Sequence, residues 1–141
     1  MTNETYAGDL SPQQSWDLLK AETKAVLIDV RTDAEFSYVG VVDLSELGKE
    51  PTFTSWKFFP SMELNAKFTD DLEAKQFDMD QPLLFLCRSG VRSKHAAIAM
   101  TALGYSRCYN IAFGFEGDKD GTNHRTTHNG WKYDGLPWVQ D

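Results

Sequence analysis

Leu83-Leu84-Phe85-Leu86-Cys87-Arg88-Ser89-Gly90-Val91-Arg92-Ser93 is the stretch that decides how the rest of the chain reads. Four apolar residues run directly into a cysteine, and Pro82 precedes them. A short, uninterrupted apolar run of this kind predicts a buried central strand. Ser93, Ala96, Ala97, Ile98, Ala99, Met100 and Leu103 predict a helix that begins near Ser93. Gly104 stands where a left-handed residue closes a helix C-terminus. Cys87 is therefore expected at the carboxyl end of a strand, on a loop that feeds a helix. Open α/β sheets bind their ligands there.

The placement has chemical consequences. A thiol attacks only as the thiolate. Inward-turning loop amides, a helix N-terminus and the two cations Arg88 and Arg92 all favour that anion. Ser89 adds a hydroxyl donor, and Gly90 permits the backbone angles of a tight cradle. A ring of donors around one sulfur anion is also a place for a second sulfur. The competing reading is an inert core cysteine followed by a solvated basic loop, but an inert strand end has no need of two arginines and a glycine beside the thiol. Cys108 has no basic loop beside it and reads as a packed core thiol in the strand Arg107 to Ile111.

Outward from this stretch, 141 residues suit one domain with one core. A 41% hydrophobic and 25% charged composition is that of a globular fold, and no apolar run approaches a membrane span. The first residues show no basic region followed by an apolar stretch, so the cytoplasm is the expected location. The two cysteines form no metal spacing and no disulfide framework. A net charge of −7 argues against nucleic acid and membrane partners. Against that acidic body, Arg88, Arg92, Lys94 and His95 gather where a small anion would be drawn.

Residues 1–9 read as a loose arm. Ser11-Pro12 opens a helix running to about Lys20. Val26 to Val30 is a second buried strand whose only polar member, Asp29, needs a partner. Arg31 and Glu35 follow and are expected to form a structural ion pair under the loop, with Asp33 capping a short helix. Phe53 to Phe59 reads as a strand and Asn65 to Gln76 as an amphipathic helix. Residues 117–130 are a polar insertion rich in turn formers, read either as a lid or docking surface or as a solvated loop. His124 and His128 lack both a helix and a third ligand, so no metal site is expected. Strands alternating with helices give an α/β class: a single domain over 1–141 with a mainly parallel central sheet and helices on both faces.

Cys87-Arg88-Ser89-Gly90-Val91-Arg92-Ser93 resembles the active-site loop of the rhodanese-type sulfurtransferases. Leu27-Ile28-Asp29-Val30-Arg31-Thr32-Asp33-Ala34-Glu35-Phe36 resembles the family's early strand-and-turn signature, and Gly104-Tyr105 to Asn110-Ile111, Gly130-Trp131 and Gly135-Leu136-Pro137-Trp138 agree. The resemblance implies that Cys87 takes the outer sulfur of a donor such as thiosulfate as a persulfide. A second acceptor, cyanide or a small or protein thiol, then removes it. Arg88 and Arg92 would bind the anionic donor, and the backbone from Arg88 through Ser89, Gly90 and Val91 to Ser93 would hold the persulfide. Asp29, Arg31 and Glu35 would support the loop, and no cofactor is required. Two arginines look like the thiosulfate-using branch. The chain departs from the family at Ser37 to Val42, where a histidine is absent, and at Phe113-Gly114, where two glycines are usual. Two rivals stand beside this reading. One is a phosphatase or arsenate reductase on the same fold, whose cysteine and arginine have five residues between them where Cys87 and Arg92 have four, Arg88 to Val91. The other is a binding module, for which an intact cysteine is unneeded.

Overall fold

The structure, a computed structural model, describes residues 5–140. In chain order the elements are β1 (Gly8–Leu10), α1 (Pro12–Ala21), β2 (Val26–Asp29), α2 (Asp33–Tyr38), β3 (Val41–Val42), β4 (Thr52–Phe53), β5 (Lys57–Phe58), β6 (Glu63–Leu64), α3 (Phe68–Glu73), β7 (Leu83–Leu86), α4 (Val91–Ala102), β8 (Cys108–Ile111) and β9 (Trp138–Val139). Five strands form one parallel sheet in the order β1-β8-β7-β2-β4, with β7 at its centre. β3 pairs with β9, and β5 with β6, as small antiparallel ribbons.

All four residues of β7 are fully buried, as a central parallel strand covered on both faces requires. Side chains alternate across the sheet. Leu83, Phe85 and Cys87 enter the cluster built with Phe68 and Leu72 of α3 and with Ala96, Ala97 and Met100 of α4. Leu84 and Leu86 enter the opposite cluster with Leu19 of α1, Phe115, Trp131 and Leu136. The mainly parallel α/β architecture with helices on both faces is thus the observed one.

Several local expectations give way to tertiary contacts. Of the arm 1–9, residues 1–4 lie outside the described residues. Gly8–Leu10 are not loose: they pair with Tyr109, Asn110 and Ile111 as the sheet edge. The expected strand from Phe53 to Phe59 divides, because Thr54 and Trp56 donate their N–H groups to the Asp29 and Val30 carbonyls. β4 ends on the sheet, and β5 departs into the hairpin with β6. The helix expected over 65–76 contracts to α3. Asn65 is taken by the Ser55 carbonyl and the Lys67 N–H, and Gln76 turns left-handed at φ 60°. At α2 the cap is Thr32, with Glu35 completing a capping box; Asp33 is the first helical residue.

Candidate active site

α4 begins at Val91, two residues earlier than its apolar pattern suggests, because Gly90 adopts φ 109° and serves as its N-cap. The turn from Cys87 to the helix is therefore short. Cys87 is 1% exposed at its floor. Its Sγ accepts the Gly90 N–H at 3.1 Å and lies 3.2 Å from Ser93 Oγ. Val91, Arg92 and Ser93 open the helix, where the first-turn amides have no intrahelical partner and the helix dipole favours an anion.

The loop is anchored from behind. The Cys87 carbonyl accepts the Phe115 N–H at 2.8 Å, and the Arg88 carbonyl accepts those of Glu116 at 3.0 Å and Gly117 at 3.2 Å. This leaves no room on residue 114: a Cβ there would press on the Cys87 carbonyl oxygen and lie 2.6 Å from both C and O of Arg88. Phe113 is held left-handed at φ 67°, and its backbone N would lie 3.5 Å from a Cβ on Gly90.

Ser93 is fully buried and acts through its side chain. Its Oγ donates to Asn110 Oδ1 at 2.6 Å, and Asn110 Nδ2 donates to Asp9 Oδ1 at 3.1 Å. Sequence reasoning missed Asn110 and Asp9. The signal was present: an asparagine inside the otherwise apolar strand Cys108–Ile111 must have partners.

The expected Arg31–Glu35 pair does not form. Arg31 is fully buried and pairs with Asp29, its Nη2 donating at 2.8 Å to Asp29 Oδ2 and at 2.7 Å to the Gly40 carbonyl. The guanidinium lies over the Phe115 ring at 4.5 Å. Burial pushes the Asp29 carboxyl up against the opposing pull of Arg31. Glu35 instead pairs with Arg92 of the Cys87 loop, in two hydrogen bonds of 2.7 and 3.0 Å. Burial works to raise the Glu35 carboxyl, but the Arg92 and Thr32 hydrogen bonds outweigh it and hold the group below its ordinary range.

Of the site residues expected from the sequence, Cys87 to Ser93 lie on one loop and Glu35 reaches it through Arg92, while Asp29 and Arg31 pair with each other. Arg92 is half-buried and neutralised. Arg88 is exposed and has no side-chain hydrogen bond or ion pair among the described residues. Val91 is 65% exposed at the rim. Beside them opens a cavity of about 440 Å³ lined by Thr32, Ala34, Glu35, Tyr38, Val39, Phe59, Met62, Arg88 and Arg92. A wider groove of about 780 Å³ between α2, α3 and β5 contains no residue of the loop. Cys108 is in the core, where burial pushes its thiol up to about 11. The polar segment 117–130 is ordered around Asp120, which accepts from Thr122, His124 and Thr127, and joins the loop at the Gly117–Arg88 hydrogen bond.

The arrangement sets one sulfur under donors that favour negative charge, with the Arg88 guanidinium nearby and without a side-chain partner among the described residues. No helix among the described residues is long and apolar enough to cross a membrane. The chain matches the Rhodanese-like domain family over residues 11–120. It is similar to an uncharacterised protein of Rickettsia conorii, 38% identical over 126 residues, which cover 89% of this chain and 91% of that one. It is also similar to the thiosulfate sulfurtransferase GlpE of Glaesserella parasuis, 29% identical over 114 residues, covering 81% of this chain and 87% of that one. The crystal structure of Rv0390 from M. tuberculosis superposes with a TM-score of 0.89 at 42% identity, covering 97% of this chain and all of that one. A Cys87 loop on a parallel sheet, with these similarities, makes the chain a member of the rhodanese-like domain family.

Proposed function

We propose that the protein is a sulfurtransferase that carries a sulfane sulfur on Cys87, from an anionic donor such as thiosulfate to a thiophilic acceptor such as cyanide or a cellular or protein thiol. The observation that carries this reading is the Cys87 loop itself: the Gly90 N–H on Sγ, the α4 N-terminus behind it and the unpaired Arg88 at its mouth. Thiolate Cys87 attacks the outer sulfur of thiosulfate. The donor's S–S bond breaks, sulfite leaves with the electron pair, and a Cys87 persulfide anion remains. A charge-assisted hydrogen bond of the Gly90 kind contributes about 1.5–3 kcal/mol to holding that anion. A second thiolate or cyanide then takes the outer sulfur and restores the Cys87 thiolate. Because Cys87 is only 1% exposed, the reacting atom must arrive as a narrow terminus, which a sulfane sulfur is and a phosphoryl group is not. Arg92, engaged by Glu35, is also not offered to a phosphate. No step calls for nucleic acid, membrane or cofactor.

The test is peptide mass spectrometry. Thiosulfate treatment should add one sulfur to the peptide containing Cys87 and none to that containing Cys108, and cyanide should remove it as thiocyanate. Cys87→Ala should fold and take up no sulfur. Sulfur transfer that persists in Cys87→Ala, or sulfur found on Cys108, would sink the mechanism.

A further inference from the structure

We infer that Asn110, oriented by Asp9, is a positioning residue for Cys87. It holds the Ser93 hydroxyl turned away from the sulfur, so that Cys87 rests as a thiol and becomes a thiolate only when that hydroxyl turns back. The inference rests on the proposed function in taking Cys87 as the reacting sulfur, and adds how that sulfur is held between turnovers.

The direction of each hydrogen bond follows from what its partners can donate. The Asp9 carboxylate only accepts, and it receives Asn110 Nδ2 at 3.1 Å and the Tyr6 hydroxyl at 2.7 Å. Burial, with Asp9 adding to it, pushes the Tyr6 hydroxyl up to about 12, so Tyr6 keeps its proton and stays a donor. The Asn110 amide is thereby fixed with its nitrogen toward β1 and its oxygen toward α4. An amide oxygen also only accepts, so the 2.6 Å contact takes the single proton of the Ser93 hydroxyl. Ser93 Oγ then turns only lone pairs to Cys87 Sγ, 3.2 Å away. A thiol S–H donates into those lone pairs. A thiolate, its proton passed to solvent base, is repelled by them until the Ser93 O–H leaves Asn110 and points at the sulfur.

Asn110 Oδ1 and a Cys87 thiolate thus compete for one proton. Burial gives the competition its weight: Ser93 is fully buried, Asn110 is 5% exposed and Cys87 1%. The charged groups around the sulfur are Arg88 of its own loop, Arg92 of α4 with Glu35 of α2 bound to it, and Asp29 of β2 with Arg31 bound to it. Asp9 reaches it from β1 through the chain. Cys108 and Tyr105 of the same core cluster are pushed up by burial and stay neutral at working pH. An idle thiol is also less open to oxidation than a thiolate.

The test is the pH profile of Cys87 alkylation by iodoacetamide, read on the peptide that contains it, in wild type and in Asn110→Val. Valine suits a strand and offers Ser93 no acceptor. With the competitor gone, the midpoint of the profile should fall by about half to one pH unit, the effect of one hydrogen bond to an anion. A weaker base is also a weaker nucleophile, so the two curves should cross. Alkylation should be about 2–4-fold faster below the midpoint and about 2–3-fold slower on the plateau. Looser packing that only exposes Cys87 would speed alkylation at every pH and leave the midpoint in place. In a Ser93→Ala background, Asn110→Val should not move the midpoint. Asp9→Lys applies the same test from an exposed position on the sheet edge. Lysine only donates, so the Asn110 amide turns its oxygen to residue 9 and its NH2 group to Ser93. The midpoint should again fall, and stay low at high salt, where the added surface charge is screened.

A midpoint unmoved or raised in Asn110→Val, or moved as far in the Ser93→Ala background, would overturn the inference. A midpoint unmoved in Asp9→Lys, or restored by salt, would overturn the part assigned to Asp9, and the whole inference if Asn110→Val does not fold. Sulfur uptake from thiosulfate is scored separately in wild type: its absence would overturn the sulfurtransferase reading and leave this inference standing.

Discussion

Gly114→Ala places one methyl group where the backbone of the Cys87 loop already lies. Gly114 has φ 61°, and an L side chain in the left-handed region costs about 1–2 kcal/mol. Its Cβ would meet the Cys87 carbonyl oxygen and lie 2.6 Å from Arg88 C and O. Those atoms are backbone, pinned by hydrogen bonds from Phe115, Glu116 and Gly117, so no rotamer change relieves the overlap. Relief requires a backbone shift, for which overpacked sites pay about 1–3 kcal/mol. The combined loss is about 2–5 kcal/mol. At a domain size where each kcal/mol moves Tm by about 3–4 °C, the midpoint should fall by about 6–20 °C. Thermal melts followed by circular dichroism measure it. Gly121→Ala is the control: nothing lies within 4 Å of its Cβ, and it should melt within a degree or two of wild type, near the ordinary scatter of about 0.5 kcal/mol for surface changes. Because the shift passes through the Cys87 carbonyl, persulfide formation at a temperature where the variant is folded should fall as well. A Gly114→Ala protein that melts within about 2 °C of wild type would refute the reasoning.

The buried Asp29–Arg31 pair should behave as a unit: either Asp29→Ala or Arg31→Met alone should lose about 3–5 kcal/mol by denaturant unfolding, and the double variant markedly less than the sum. Additive losses would mean that the two charges are not each other's main support. Glu35, held below its ordinary value of 4.5, should stabilise the fold over Glu35→Gln fully above that pH, with the advantage disappearing as the pH falls through the lower folded-state value. A gap between the two proteins that persists unchanged into strong acid would contradict this.

The features that were legible in the sequence are those whose cause is local or periodic. β7 follows from an uninterrupted apolar run, and α1 from Ser11-Pro12, where the structure shows the full capping box with Gln14. The place of Cys87 at the end of β7 follows from the same stretch. The features that were not legible depend on distant backbone. β1 is three residues held by pairing with β8, and β4 and β5 are two residues each, too short for any period to be expressed. Asn110 meets Ser93 across β8 and α4, and Asp9 reaches Asn110 only because β1 and β8 are neighbours in the sheet.

The exchange of ion-pair partners is the clearest case. Arg31 and Glu35 are spaced as helix neighbours, but α2 begins at Asp33, so they do not share a helix face. Thr32 is extended at φ −82°, ψ 160°, which leaves Arg31 at the strand end with Asp29 and turns Glu35 into the first turn of α2. There the capping box brings the Glu35 carboxylate back to Thr32 and leaves its remaining lone pairs unfilled. The parallel register of β2 with β7, Asp29 opposite Leu86, then sets the start of α2 beside the Cys87 loop, and Arg92 fills them. A pairing across 57 residues is thus a consequence of strand register, which local pattern does not carry. Of the two arginines that the sequence places on the loop, Arg92 is bound by Glu35 and Arg88 alone has no side-chain partner among the described residues.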